Sequence, residues 1–124
     1  MKLTGEIIGA AMEVHTVLGP GFVETIYHRA LLHELKLRGF SIETERQLDI
    51  EYKKTIVGVH RLDMVINQSV VVELKAVNCI IDAHRAQAIS YLKASGLHVA
   101  LILNFGEPSL TFKRVVRNLQ TDGI

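Results

Sequence analysis

Asp63 and the tripeptide Glu73-Leu74-Lys75 sit in two apolar, β-branched segments, RLDMVI and VVVELKAV, where ionised groups are out of place. Burying an unpaired charge costs on the order of several kcal/mol, so such residues survive in a core-like run only beside water or a partner. Side chains alternate along a strand, so Glu73 and Lys75 point with Val71, while Val70, Val72, Leu74 and Ala76 point to the other face. The same alternation sets Asp63 on one face of its segment and Leu62, Met64 and Ile66 on the other. Two carboxylates at cross-strand distance repel unless a cation lies between them. A hard divalent ion, Mg²⁺ or Mn²⁺, suits oxygen ligands and retains waters of its own. Lys75 beside it would hold a water or neutralise phosphate charge. The competing reading is an ion pair of Lys75 with Glu73 or Asp63 on a solvated sheet face, and spacing alone leaves both open.

Whether the acids meet depends on the turn at Asn67-Gln68-Ser69. A two-residue loop pairs Ile66 with Ser69 and sets Asp63 opposite Val72, on the wrong face for Glu73. A three-residue loop pairs Ile66 with Val70 and sets Asp63 opposite Glu73, and a bulge has the same effect. The site reading therefore predicts a three-residue loop or a bulge.

Around these strands the pattern predicts helices over 3–18 and 22–38, separated by Gly19-Pro20-Gly21. Thr4 is the expected N-cap of the first and Gly39 the C′ residue of the second. Alternation of Phe40, Ile42, Thr44, Arg46, Leu48, Ile50 and Tyr52 predicts a strand, followed by a turn or exposed edge at Lys53-Lys54. Strands follow over 56–66 and 70–77, then a helix over 81–95 ended by Gly96. Residues 97–105 (LHVALILNF) are apolar on both parities, as in a strand covered on both sides. An outer strand is expected over 110–116. This order predicts an α/β (α+β mixed) fold, with helices flanking a central four- to five-stranded mixed sheet.

At 124 residues the chain is one domain's worth of sequence, with 48% hydrophobic and 22% charged residues, an ordinary globular balance. No apolar run approaches the ~18–20 residues of a membrane span, and no secretory signal pattern opens the sequence. These features and the single cysteine, Cys79, predict a reducing cytoplasm, with Cys79 packed as a small apolar residue. The net charge of +1 means that any phosphate-binding surface is local. Candidates for it are Lys53, Lys54, Arg85, Lys93, Lys113, Arg114 and Arg117. His15, His28, His33, His60 and His98 show no metal-ligand spacing.

The set Asp63, Glu73-Leu74-Lys75, with this order of elements, resembles the PD-(D/E)XK nuclease superfamily and its restriction-endonuclease-like core. Within it, GPGFVETIY resembles the signature of the GxxExxY proteins, carried by Gly21, Glu24 and Tyr27; IIGAAMEVHTVLGPGF, VVVELKAV and YLKASGLHVALILNFG are also similar. The resemblance runs from Leu3 to Val116 and implies one nuclease-like domain over 1–124. It implies Asp63 and Glu73 as metal-binding carboxylates, the Leu74 carbonyl as a further ligand, and Lys75 as the catalytic lysine. Glu24 takes the place of an additional acid near the metal, and Tyr27, three residues on, shares its helix face and is expected to contact substrate. A helix N-terminus also favours a carboxylate at Glu24. Gln87 and Tyr91 resemble a Q-x-x-x-Y helix motif that contacts substrate, with His84 a turn earlier. The implied activity is Mg²⁺-dependent (or Mn²⁺-dependent) hydrolysis of a nucleic acid, DNA first, by a homodimer or with a partner protein. The alternative is a non-catalytic nucleic-acid-binding or assembly module that keeps the fold. Leu62 stands where the superfamily's name has proline.

Overall fold

The structure, a computed structural model, describes residues 2–117. Its elements run α1 (Lys2–Leu18), α2 (Glu24–Leu37), β1 (Ile42–Tyr52), β2 (Thr55–Ile66), β3 (Val70–Lys75), α3 (Asp82–Ser95), β4 (Val99–Asn104) and β5 (Thr111–Val116). The strands form one five-stranded sheet in the order β1-β2-β3-β4-β5. Neighbours are antiparallel except β3 and β4, which are parallel and joined through α3, since parallel strands need a crossover. The mixed sheet with flanking helices is the fold class that the sequence predicts. Among the described residues no helix is long and apolar enough to cross a membrane.

Two apolar cores sandwich the sheet. On one side Ile7, Ile8, Ala11 and Val14 of α1 and Leu31 and Leu35 of α2 meet Met64, Ile66, Val70, Val72, Leu74, Leu101 and Leu103. On the other, Ala88, Tyr91 and Leu92 of α3 meet Leu48, Leu62, Val65, Val71, Ala100 and Ile102. Alternating Val70–Leu74 thus feed both cores, as the parity of VVVELKAV requires. β4 is buried on both faces, which explains its unbroken apolar run.

Several local expectations change. Thr4 is buried inside α1, which already begins at Lys2, instead of capping it. Cys79 is exposed in the loop after β3 rather than packed. The larger change concerns alternation in β1 and β2. Ile42 packs on the α1/α2 side, yet Leu48 and Ile50, of the same parity, pack on the α3 side. Likewise Met64 and Ile66 face α1 and α2, while Leu62 faces α3. Both strands exchange faces at the level of Glu45 and Asp63, between the paired residues Thr44–Met64 and Arg46–Leu62. Glu45 has φ +52° there, a left-handed conformation uncommon outside glycine, which breaks the pleat. Leu62 therefore does not share a face with Met64 and Ile66.

Beyond this switch the β1–β2 hairpin leaves the body of the sheet. β3 pairs with β2 only through Met64–Val72, Val65–Val71 and Ile66–Val70, whereas β1 and β2 stay paired out to Tyr52–Thr55. Every residue from 51 to 59 is exposed. The sheet is thus forked, with a free arm on one side of the fork and β3 on the other.

Candidate active site

The fork is set by the loop that follows β2. Ile66 pairs with Val70, so Asn67, Gln68 and Ser69 form the three-residue loop. Asn67 and Gln68 both adopt positive φ, +52° and +56°, and the Asn67 side chain accepts from the Ser41 amide at 3.0 Å, which ties the turn to the start of β1. One further step in this register sets Asp63 against Glu73, where the ladder has ended.

At that point the two acids replace the missing sheet hydrogen bonds. Asp63 Oδ2 accepts from the Leu74 amide at 2.9 Å, and the Glu73 carboxylate accepts a hydrogen bond from the Asp63 backbone. His28 Nε2 donates to the Asp63 carbonyl at 3.2 Å; a carbonyl only accepts, so this nitrogen carries the proton. The Leu74 amide points toward β2, and within a strand a residue's carbonyl points the same way as its amide. Lys75, next along, points its carbonyl the other way and accepts from Phe105 at 2.9 Å.

Glu73 is only 6% exposed, and its Oε1 is buried without a hydrogen-bond partner. Burial pushes its carboxyl up to about 8, the Asp63 charge adds to this, and Lys75 partly offsets both. Burial, then Asp63, also raises Glu24, against smaller lowering effects of Lys75 and His28. The Tyr91 phenol is raised by burial, then by Glu73 and Asp63. Glu24, Asp63, Glu73, Lys75 and Tyr91 therefore share one electrostatic neighbourhood, contributed by α2, β2, β3 and α3.

An open groove of about 510 Å³ runs along the α2 side of this neighbourhood, lined by Glu24, His28, Arg29, Thr44, Glu45 and Asp63 among others. Across the fork, Tyr91 stacks on His60 of the arm, with ring centroids 4.1 Å apart and planes 18° from parallel. Gln87 lies one turn before Tyr91 on α3, exposed. Lys75 is half-buried, and no salt bridge engages it among the described residues.

Two residues sit differently from expectation. Tyr27 is wholly buried; its hydroxyl donates to the Gly19 carbonyl at 2.6 Å and accepts from the Phe22 amide at 3.2 Å. Its ring stacks on Phe105 with centroids 4.7 Å apart. Placed there it cannot touch substrate; it fastens the turn whose Gly19 and Gly21 adopt φ +74° and +108°, and so fixes where α2 and Glu24 begin. His84 accepts from the Ile81 amide through Nδ1 at 3.1 Å, capping α3 instead of joining the site. The sequence reading missed His28 and Glu45, and it read His60, which lies three residues before Asp63 and could border the cleft, as a solvated strand end. His28 left a signal of its own, four residues after Glu24 and therefore on the same helix face.

The residues present fit a hard divalent cation. An orphaned, buried carboxylate oxygen is a rare and costly feature, and a cation is what would both satisfy it and allow Glu73 to ionise. The oxygen-only donor set of Asp63, Glu73 and the Leu74 carbonyl is of the kind that Mg²⁺ accepts. Among the described residues no three His, Cys, Asp or Glu side chains are gathered as a metal cage.

The fold recurs among solved structures. The crystal structure of SSO0001 is similar with a TM-score of 0.58 at 20% identity; the match covers 80% of this chain and 52% of that chain. This chain thus spans about half the length of that protein, and the likeness concerns the fold. No curated protein matches. A family model described as the PD-(D/E)XK nuclease superfamily matches residues 1–115. The forked sheet with its acids at the branch point and the match over almost all of the described chain lead to one conclusion: the chain belongs to the PD-(D/E)XK nuclease superfamily.

Proposed function

We propose that this protein is a Mg²⁺-dependent phosphodiesterase acting on nucleic acid, with DNA as the first substrate to test, and that it belongs to the GxxExxY branch of its superfamily. In this reading residues 1–124 act as one domain. The observation that carries the reading is the orphaned Glu73 Oε1 at the fork, next to a second carboxylate and a lysine that has no salt bridge among the described residues.

Asp63, Glu73 and the Leu74 carbonyl hold the ion, with Glu24 facing it from α2. When bound, Mg²⁺ neutralises the acids and stabilises negative charge on the phosphate under attack. Lys75 points its ammonium toward the same space and orients the attacking water or a phosphate oxygen. Gln87 and Tyr91 steady the nucleic-acid backbone from α3, and Tyr27 acts indirectly by holding the start of α2. The small surface around the fork leads us to expect a homodimer or a partner protein, two-fold pairing being the commonest arrangement.

The net charge of +1 favours one rival, a nucleic-acid-binding or assembly module without turnover. Calorimetric titration with Mg²⁺, together with cleavage assays on single-stranded, duplex and branched DNA, separates the two. Saturable binding lost in Glu73→Ala, and cleavage lost in both Glu73→Ala and Lys75→Ala, supports the enzyme. A parent protein that binds no divalent ion refutes it, and cleavage surviving both substitutions excludes this site as its source.

A further inference from the structure

We propose that His28 is a positioning residue for Asp63, and that the hydrogen bond it donates to the Asp63 backbone sets the affinity of the fork for a divalent cation. This inference rests on the metal-binding reading given above and concerns a residue outside the superfamily motif that the sequence displays.

The argument starts from backbone accounting. In a continuous sheet the amide and carbonyl of Asp63 would be satisfied by neighbouring strands. Here the β2–β3 ladder ends at Met64–Val72, and Asp63 falls at the level where β1 leaves its pleat through Glu45. Each polar group of Asp63 therefore depends on a partner from outside the regular ladder. The carboxylate takes the Leu74 amide, the backbone amide serves the Glu73 carboxylate, and the carbonyl is held by His28 at 3.2 Å. The first two contacts tie Asp63 to β3. Only the third ties it to α2, the helix that carries Glu24.

Glu24 and His28 are four residues apart on α2, so one helix face presents both. Both line the same groove with Asp63. The His28 contact thus determines how far the α2 acid stands from the β2 acid. Without it the peptide after Asp63 is free to turn its carbonyl to water. That rotation moves the Asp63 side chain off the Leu74 amide and widens the gap to Glu24. The contact needs only an N–H at Nε2, which the neutral ring supplies, so the role is geometric and requires no charge on His28.

The test is calorimetric titration with MnCl₂ alone, without nucleic acid, on the parent, His28→Leu and His28→Gln. Groups that orient a metal ligand change affinity by about 10–100-fold when removed. His28→Leu is expected to weaken Mn²⁺ binding by about that factor. His28→Gln, whose amide nitrogen reaches the place of Nε2, is expected to bind close to the parent, with urea midpoints of the two variants matching. If His28→Leu fails to fold, His28→Asn takes its place, being polar but too short to span the contact. Undiminished binding in His28→Leu or His28→Asn overturns the inference. So does a Gln variant as weak as the Leu variant, because the ring and not the hydrogen bond would then matter. A parent that binds no Mn²⁺ removes the metal-binding reading itself, an outcome distinct from either.

Discussion

Replacing Glu73 with glutamine removes a charge from a nearly closed position while keeping its shape, and the metal-free protein should gain stability at alkaline pH. Glu73 is raised from 4.5 to about 8 in the folded chain, so the native state prefers it protonated. A group raised on folding contributes fully below its unfolded value and loses that contribution as pH climbs through the folded one. The native protein in EDTA should therefore lose stability between about pH 4.5 and pH 8, and change little from this source beyond. At about 1.36 kcal/mol per pH unit the full displacement corresponds to on the order of 4–5 kcal/mol, an upper bound for a carboxyl that interacts strongly with a second ionisable group. The neutral amide of Glu73→Gln has no such dependence, and its NH₂ can donate to Asp63. Equilibrium urea unfolding followed by far-ultraviolet circular dichroism suits a chain without tryptophan. The two proteins should be closely matched at pH 4.5, with the variant more stable by several kcal/mol at pH 8.5. Adding Mg²⁺ at a hundred times its Kd should restore about 2.7 kcal/mol to the parent at pH 8.5 and nothing to the variant. Parallel pH profiles, or a variant weaker than the parent at pH 8.5, would refute the reasoning that burial and Asp63 hold Glu73 neutral.

Gly106→Ala should destabilise the fold by at least about 3 kcal/mol, the upper end of overpacking costs, because the added Cβ would stand 2.3 Å from the Val77 carbonyl oxygen and 2.4 Å from its amide nitrogen. Urea midpoints check this, and a loss below about 1 kcal/mol would mean that the chain after β3 can move aside. Tyr27→Phe strips the Gly19 carbonyl and the Phe22 amide of their shared partner and should cost about 1–3 kcal/mol. An unchanged midpoint would show that water replaces the phenol at this turn.

The fold was legible where two periodicities alternate without interruption. The unbroken apolar parity of LHVALILNF indicates a doubly covered strand, and the parity of VVVELKAV correctly sends Val70, Val72 and Leu74 into one core, while the opposite face, expected to be wet, buries Val71 in the second. The loop could be argued from the acids themselves, since only the longer turn brings Asp63 toward Glu73, and Ile66 indeed pairs with Val70. The face exchange at Glu45 was not legible. A left-handed residue there is glutamate, not glycine or asparagine, so nothing in ERQLDIEY distinguishes it from ordinary strand, and Leu62 was assigned to the wrong side. Tyr27 misled for another reason. A helix-face argument gives the direction shared with Glu24 but not the depth, and three residues suffice to pass from Glu24, which lines the groove, to the wholly buried Tyr27. Asn104 carries information of a kind that pattern cannot supply. It is buried inside an apolar strand because its amide clamps Val77, accepting from the nitrogen at 3.0 Å and donating to the oxygen at 3.0 Å, which anchors the segment leaving Lys75.

A branch in a sheet separates two kinds of length. Below it, β2 and β3 are bound by three pairings and by cores on both sides, so any insertion there would displace the acids. Above it the hairpin meets α3 through Leu48, Ile50 and His60; past them residues 51–59 are exposed, and the register there is held by β1 and β2 alone. Two residues added to, or taken from, each of its strands would keep every remaining side chain on its original side, because the pleat repeats in twos. The exposed end of the hairpin can therefore grow or shrink in even steps without displacing the acids at the fork, which makes it the dimension along which the groove beside them can be lengthened.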